Sequence, residues 1–127
     1  MKKLLYLVCA VVVSVSVSQA QSTTSPVGCS KILSQAQYTT AKNSIAKKND
    51  DASKQATAKQ VVNASCAYAE QVKGFESLFT SEQTKLDFAI YAYAYCYDQS
   101  NYYAKVSPVL SSESVRQLHD YMYGTTH

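Results

Sequence analysis

The sequence predicts an all-α protein: a compact bundle of about five short helices, arranged as two related helix pairs plus a C-terminal helix. Three observations carry this. Capping patterns stand before apolar runs, with Ser34 three residues ahead of Gln37, and Thr80, Ser81, Glu82 and Gln83 opening the longest run. Apolar residues recur at helical spacing in each run. Only one segment, a tyrosine alternation, argues for a strand.

That segment lies in the stretch from Phe79 to Val106, where the aromatic side chains concentrate. Ala89, Tyr91, Tyr93, Tyr95 and Tyr97 alternate with Ile90, Ala92, Ala94 and Cys96, a period of two that reads as a half-buried strand. At helical spacing, Leu86, Ala89, Ile90, Tyr93 and Tyr97 form one stripe, with Phe88, Tyr91, Ala92 and Tyr95 beside it. The cap, the alanine content and a length beyond most strands favour a helix from Gln83 to Tyr97. Being apolar nearly all round, it is expected at the centre of the domain.

Taken in order, Met1 to Ala20 has the form of a signal peptide: Lys2 and Lys3, an apolar run from Leu4 to about Val13, and small residues at Ser18 and Ala20. The expected organisation is therefore a signal peptide at 1–20, a flexible lead at 21–28, a single helical domain at 29–123 and a frayed tail at 124–127. A first helix opens at Ser34 and runs to about Lys48, with Tyr38, Ala41 and Ile45 on one face. Asp50 or Asp51 caps a second, in which Ala58, Val61, Val62 and Ser65 share a face up to Cys66. A third spans about Tyr68 to Phe79, weakened by Gly74 in its middle.

After the central helix, Asp98 to Tyr103 reads as a polar turn and Pro108 as a stop. Ser112 or Ser114 opens a last helix with Val115, Leu118 and Met122 inward. A weak internal repeat runs through these helices, Lys54 and Ala58 recurring as Lys85 and Ala89, and Glu70, Gln71, Val72, Lys73 and Phe75 echoed by Ser114, Val115, Arg116 and Leu118.

Charge and cysteine count bound the function. Without Lys2 and Lys3, ten basic residues face nine acidic ones, so the expected mature chain is nearly neutral and carries no footprint for nucleic acid. Cys9 leaves with the signal. Cys29, Cys66 and Cys96 remain, an odd number that allows one internal bridge and one further thiol. Residue chemistry does not choose the pair, although Cys96 within an apolar helix reads as buried and inert.

No catalytic constellation stands out in the sequence. His119 and His127 have no partner at metal-ligand spacing, and three glycines leave no phosphate loop. Glu76, Glu82 and Asp87 read as charges on solvated helix faces. No cofactor or metal is expected. Tyr91, Tyr95, Tyr102 and Tyr103 are the remaining candidates, as an exposed aromatic binding face; the alternative is that their rings fill the core with hydroxyls at its rim.

The segments CSKILSQAQYTTAKNSI (Cys29 to Ile45), AKQVVNASC (Ala58 to Cys66), EQVK (Glu70 to Lys73), LFTSEQTKLDFAIYAYAYCYD (Leu78 to Asp98), NYYAKV (Asn101 to Val106) and the terminal LHDYM together resemble the bacterial domain-of-unknown-function family numbered four-four-seven-six, small exported domains. The resemblance implies a bridge between Cys29 and Cys66, closing a loop of 36 intervening residues, and leaves Cys96 as the free thiol. Such a loop closure stabilises by a few kcal/mol. The resemblance also exposes two departures. Tyr68 and Ala69 stand where the family has a Thr or Ser cap, which predicts a looser bend between the second and third helices, and Ile90 replaces a lysine.

The family carries no assigned activity. The sequence therefore leads to a non-enzymatic, exported domain of the periplasm or extracellular space that binds a protein, peptide or envelope component, with no transmembrane segment after signal cleavage. The alternative is a small periplasmic enzyme or thiol-redox protein using Cys96, and a third reading is a disulfide dimer through Cys96.

Overall fold

The computed structural model describes residues 30–124. The signal segment, the lead, Cys29 and His127 lie outside the described residues. Six α-helices are present: α1 (Gln35–Ala46), α2 (Asp51–Ala64), α3 (Ala69–Glu76), α4 (Glu82–Tyr93), α5 (Tyr102–Val106) and α6 (Ser112–Tyr123), with 3-10 turns at Gln99–Asn101 and Ser107–Val109. The helix absent from the sequence reading is α5, folded from what reads locally as the end of a polar turn.

Most helices begin where an oxygen meets their first unpaired N–H groups. Ser34 Oγ accepts from the Gln37 N–H at 3.1 Å while Gln37 Oε1 accepts from the Ser34 N–H at 3.0 Å, closing the expected capping box. Asp50 caps α2 through the Ser53 N–H at 2.8 Å, and Ser81 caps α4 through the Thr84 N–H at 3.3 Å. The cap of α6 is Ser111, ahead of the expected Ser112 or Ser114. Glu82 selects it: its Oε2 accepts the Ser111 N–H at 2.7 Å.

The missing cap on α3 does not produce a loose bend. Gln71 Oε1 accepts the Tyr68 N–H at 2.9 Å, and Asp98, 29 residues further on, accepts the Ala69 N–H at 2.7 Å. The cap is supplied from another part of the chain.

The central helix is shorter than its apolar run. It ends at Tyr93 because the backbone beyond is used elsewhere: the Ala67 N–H donates to Tyr95 O at 3.2 Å and the Tyr97 N–H donates to Ala67 O at 2.8 Å. One step earlier in the stack, the Cys66 N–H donates to Lys31 O at 2.8 Å and the Leu33 N–H donates to Cys66 O at 2.7 Å. Isolated parallel bridges thus join Ile32 to Cys66 and Ala67 to Cys96, and no strand forms among the described residues.

These three extended segments, side by side, each launch a helical hairpin: α1–α2, α3–α4 and α5–α6. In one layer α1 packs on α3 and α3 on α5; in the other α2 packs on α4 and α4 on α6. The caps of α2, α4 and α6, at Asp50, Ser81 and Ser111, follow one another at 31 and 30 residues. The first residue of each second-layer helix also clamps the next: Asp51 accepts from the Thr80 and Ser81 N–H groups at 2.6 to 3.0 Å, as Glu82 does from Ser111. The relation between Lys54–Ala58 and Lys85–Ala89 is the trace of this repeat. The fold is a short, solenoid-like stack in which each hairpin is held by its neighbours.

The core lies between the layers, with Ile45, Ala58, Val62, Val72, Phe75, Phe88, Ala89, Tyr102 and Leu118 fully buried. Gly74 has a packing reason. A Cβ there would run into the Tyr38 hydroxyl and lie 2.9 Å from its Cζ, because the Tyr38 ring crosses α3 and leans on Phe75 at 5.2 Å. Gly74→Ala is expected to destabilise despite a helix-propensity gain of up to about 1 kcal/mol, since overpacking costs about 1–3 kcal/mol. In a Tyr38→Ala background the same change is expected to stabilise, a sign reversal that urea unfolding of the four proteins reads directly.

Candidate functional site

The four candidate tyrosines do not form one face. Tyr102 is fully buried and its hydroxyl donates to Ala89 O at 2.6 Å, which removes it from any exposed surface. The reason is α5: as the first residue of that helix, Tyr102 points between α3 and α4 rather than out of a turn. Tyr91 and Tyr95 are half-buried with their rings tilted against each other at 5.2 Å, and Lys59 of α2 lies over the Tyr91 ring at 4.9 Å. Tyr103 belongs to the far end of the stack, 5.6 Å from the His119 ring and 6.2 Å from Tyr123. The well-exposed tyrosines are others: Tyr68 and Tyr97, paired edge-on at 5.5 Å, and Tyr121 and Tyr123 on α6.

Cys96 is a free cysteine and is fully buried. Its Sγ lies 3.4 Å from Asp98 Oδ1. Burial, and then the Asp98 carboxylate that accepts its S–H, pushes the thiol up to about 12, so it carries no thiolate at neutral pH. A disulfide dimer through Cys96 would require the stack to open. Cys66 is buried, and Cys29, the partner the resemblance implies, lies outside the described residues.

Glu76 is the residue that local reading placed wrongly. It is fully buried, not solvated, and neither carboxyl oxygen has a hydrogen-bond partner. Burial pushes its pKa up to about 9, against a lowering by Lys85 and with a further rise from Glu82. The visible signal was its place between Phe75 and Phe79 on an apolar stripe. Burial, then the Glu76 carboxyl, also raises Tyr102 well above the ordinary phenol value. The centre of the stack therefore holds a carboxyl, a thiol and a phenol, all neutral and closed to solvent.

His119 is exposed, 4.8 Å from the Tyr123 ring and 4.0 Å from Asp120. Among the described residues no group of His, Cys, Asp and Glu is assembled to hold a metal ion, and no helix is long and apolar enough to cross a membrane.

A groove of about 440 Å³ opens on the first hairpin, lined by Leu33, Ala36, Gln37, Thr40 and Ala41 at one wall and Val61, Ala64 and Ser65 at the other. Short side chains on the two helices line this trough, and Ala36, Thr40 and Ala64 are exposed in it. Its surface is apolar, with Gln37 the largest polar side chain in the wall.

Fold and site together define a small all-α domain of stacked helical hairpins, closed at its centre and open at one end. The chain belongs to the family described as Domain of unknown function (DUF4476), whose family model matches residues 32–122. No curated protein and no solved structure matches it.

Proposed function

We propose that this chain is an exported, non-catalytic helical module that binds a protein, peptide or envelope component through the groove between α1 and α2. The observation that carries the reading is the groove itself: an apolar trough open to solvent on a domain whose ionisable interior is shut. Export is supported by the form of residues 1–20, and a bridge at Cys66 would suit an oxidising compartment. The bridge is proposed to join Cys29 and Cys66. Against the alternative, a thiol enzyme or redox protein using Cys96, stand the burial of that sulfur and its raised pKa.

Affinity capture of the mature, oxidised protein from its own cell envelope, run beside a Thr40→Arg variant, tests the reading. Thr40 is exposed, so the arginine fills the groove without entering the core. Species retained by the parent are expected to be lost on the variant. Equal retention on both removes the groove as the binding site.

A further inference from the structure

The groove occupies a position that the rest of the stack fills. Aligning the helix starts, Ser34 with Tyr68 and Asp50 with Ser81, sets Gln37 against Gln71, Thr40 against Gly74, Ala41 against Phe75 and Ala64 against Tyr95. On the second hairpin this face is where the first hairpin sits. Gln71 caps its own helix with Oε1 and donates from Nε2 to Leu33 O of the preceding hairpin at 3.2 Å, while the Tyr38 ring crosses Gly74 and meets Phe75. Gln37 caps its own helix in the same way, and among the described residues its Nε2 donates to nothing. The groove is the same docking face one repeat earlier, and among the described residues no preceding hairpin sits on it.

What seats there must bring bulk, because alanines at 41 and 64 stand where the filled face has Phe75 and Tyr95. The opposite end of the stack carries an aromatic cluster of half-buried Tyr103 with exposed His119 and Tyr123, the last 60% exposed. We infer that the occupant is a second copy of this chain, whose α5–α6 end docks in the α1–α2 groove so that the stack of hairpins continues from one molecule into the next. This rests on the groove being a binding site and names its partner. The contact is heterologous, so it leaves one groove and one aromatic end free and grows rather than closing as a dimer.

Sedimentation velocity on the mature, oxidised protein tests it, with Thr40→Arg blocking the groove and Tyr123→Glu blocking the other end. Both positions are exposed, and unchanged helical circular dichroism establishes that each variant is folded. The parent is expected to gain mass continuously from micromolar to millimolar concentration. Each variant alone is expected to weaken assembly by about tenfold or more. An equimolar mixture of the two is expected to form one-to-one dimers and nothing larger, since only one compatible groove and end remain. A parent that stays monomeric, a mixture that does not pair, or a Thr40→Arg variant that assembles like the parent overturns self-docking. A monomeric parent whose groove still loses captured species on Thr40→Arg identifies a different occupant and leaves the binding reading standing.

Discussion

At pH 7 the Glu76→Gln variant is expected to be more stable than the parent by roughly 3 kcal/mol, with the difference growing as pH rises. Glu76 has no solvent exposure and no hydrogen-bond partner, so its ionised form is disfavoured in the folded state. Its pKa stands at about 9 in the fold, against 4.5 for the free side chain. The folded protein therefore holds this proton where the unfolded chain has released it. Stability from the group is complete below about 4.5, falls as pH rises, and levels off above about 9. The slope in that window is about 1.4 kcal/mol per pH unit.

Glutamine keeps the volume and removes the titration. Urea unfolding of parent and variant at several pH values is expected to give curves that meet near pH 4.5 and diverge above it. Parallel curves would mean that Glu76 is ionised in the fold and the centre is not sealed.

The second large effect is expected at Asp98. Its Oδ1 accepts the N–H of buried Ala69 at 2.7 Å and the Cys96 thiol at 3.4 Å, and its Oδ2 accepts from Asn101 Nδ2 at 3.0 Å. Asp98→Ala removes the cap of α3 and strands a buried N–H, a loss of about 2–3 kcal/mol. Asp98→Asn keeps an oxygen for Ala69 and is expected to cost less than half as much. Burial works to raise the Asp98 pKa, but the hydrogen bonds from Asn101, Ala69 and Cys96 outweigh it and hold the carboxyl below its usual value of 3.8. Its contribution is thus present above the ordinary carboxylate range and lost as pH falls through the lowered pKa. The alanine variant should show a shallower acid limb than the parent. An Asp98→Ala protein as stable as the parent would contradict the remote cap.

How far the sequence could be read depends on whether the deciding contact is local. Ser34 with Gln37 and Asp50 with Ser53 satisfy helix starts within three residues, and these boundaries were legible. The end of α4 was not, because Ala94 to Tyr97 is as apolar and helix-compatible as what precedes it; the competitor is Ala67, some 30 residues away. The tyrosine alternation rejected as a strand has a small real counterpart there, the single bridge at Cys96. Ser111, Ser112 and Ser114 are locally equivalent caps, and only the Glu82 carboxylate distinguishes them.

The third hairpin was concealed for a similar reason. α5 spans five residues, too short for a periodic signal, so Tyr102 was read in a turn and placed on a surface. Burial of Cys96 was legible from its apolar run. The groove was not, since a trough follows from how far apart α1 and α2 lie and from what does not cover them.

The centre of the stack is closed to solvent, and the proposed recognition surface lies at its open end. Thiol labelling of the native, oxidised protein, with the Cys96 peptide followed by mass, tests this most directly. Cys96 is predicted to remain unmodified until denaturant unfolds the domain and then to react fully. Labelling of native Cys96 at the rate of an unfolded thiol would contradict the sealed centre and return the free cysteine to the candidates for function.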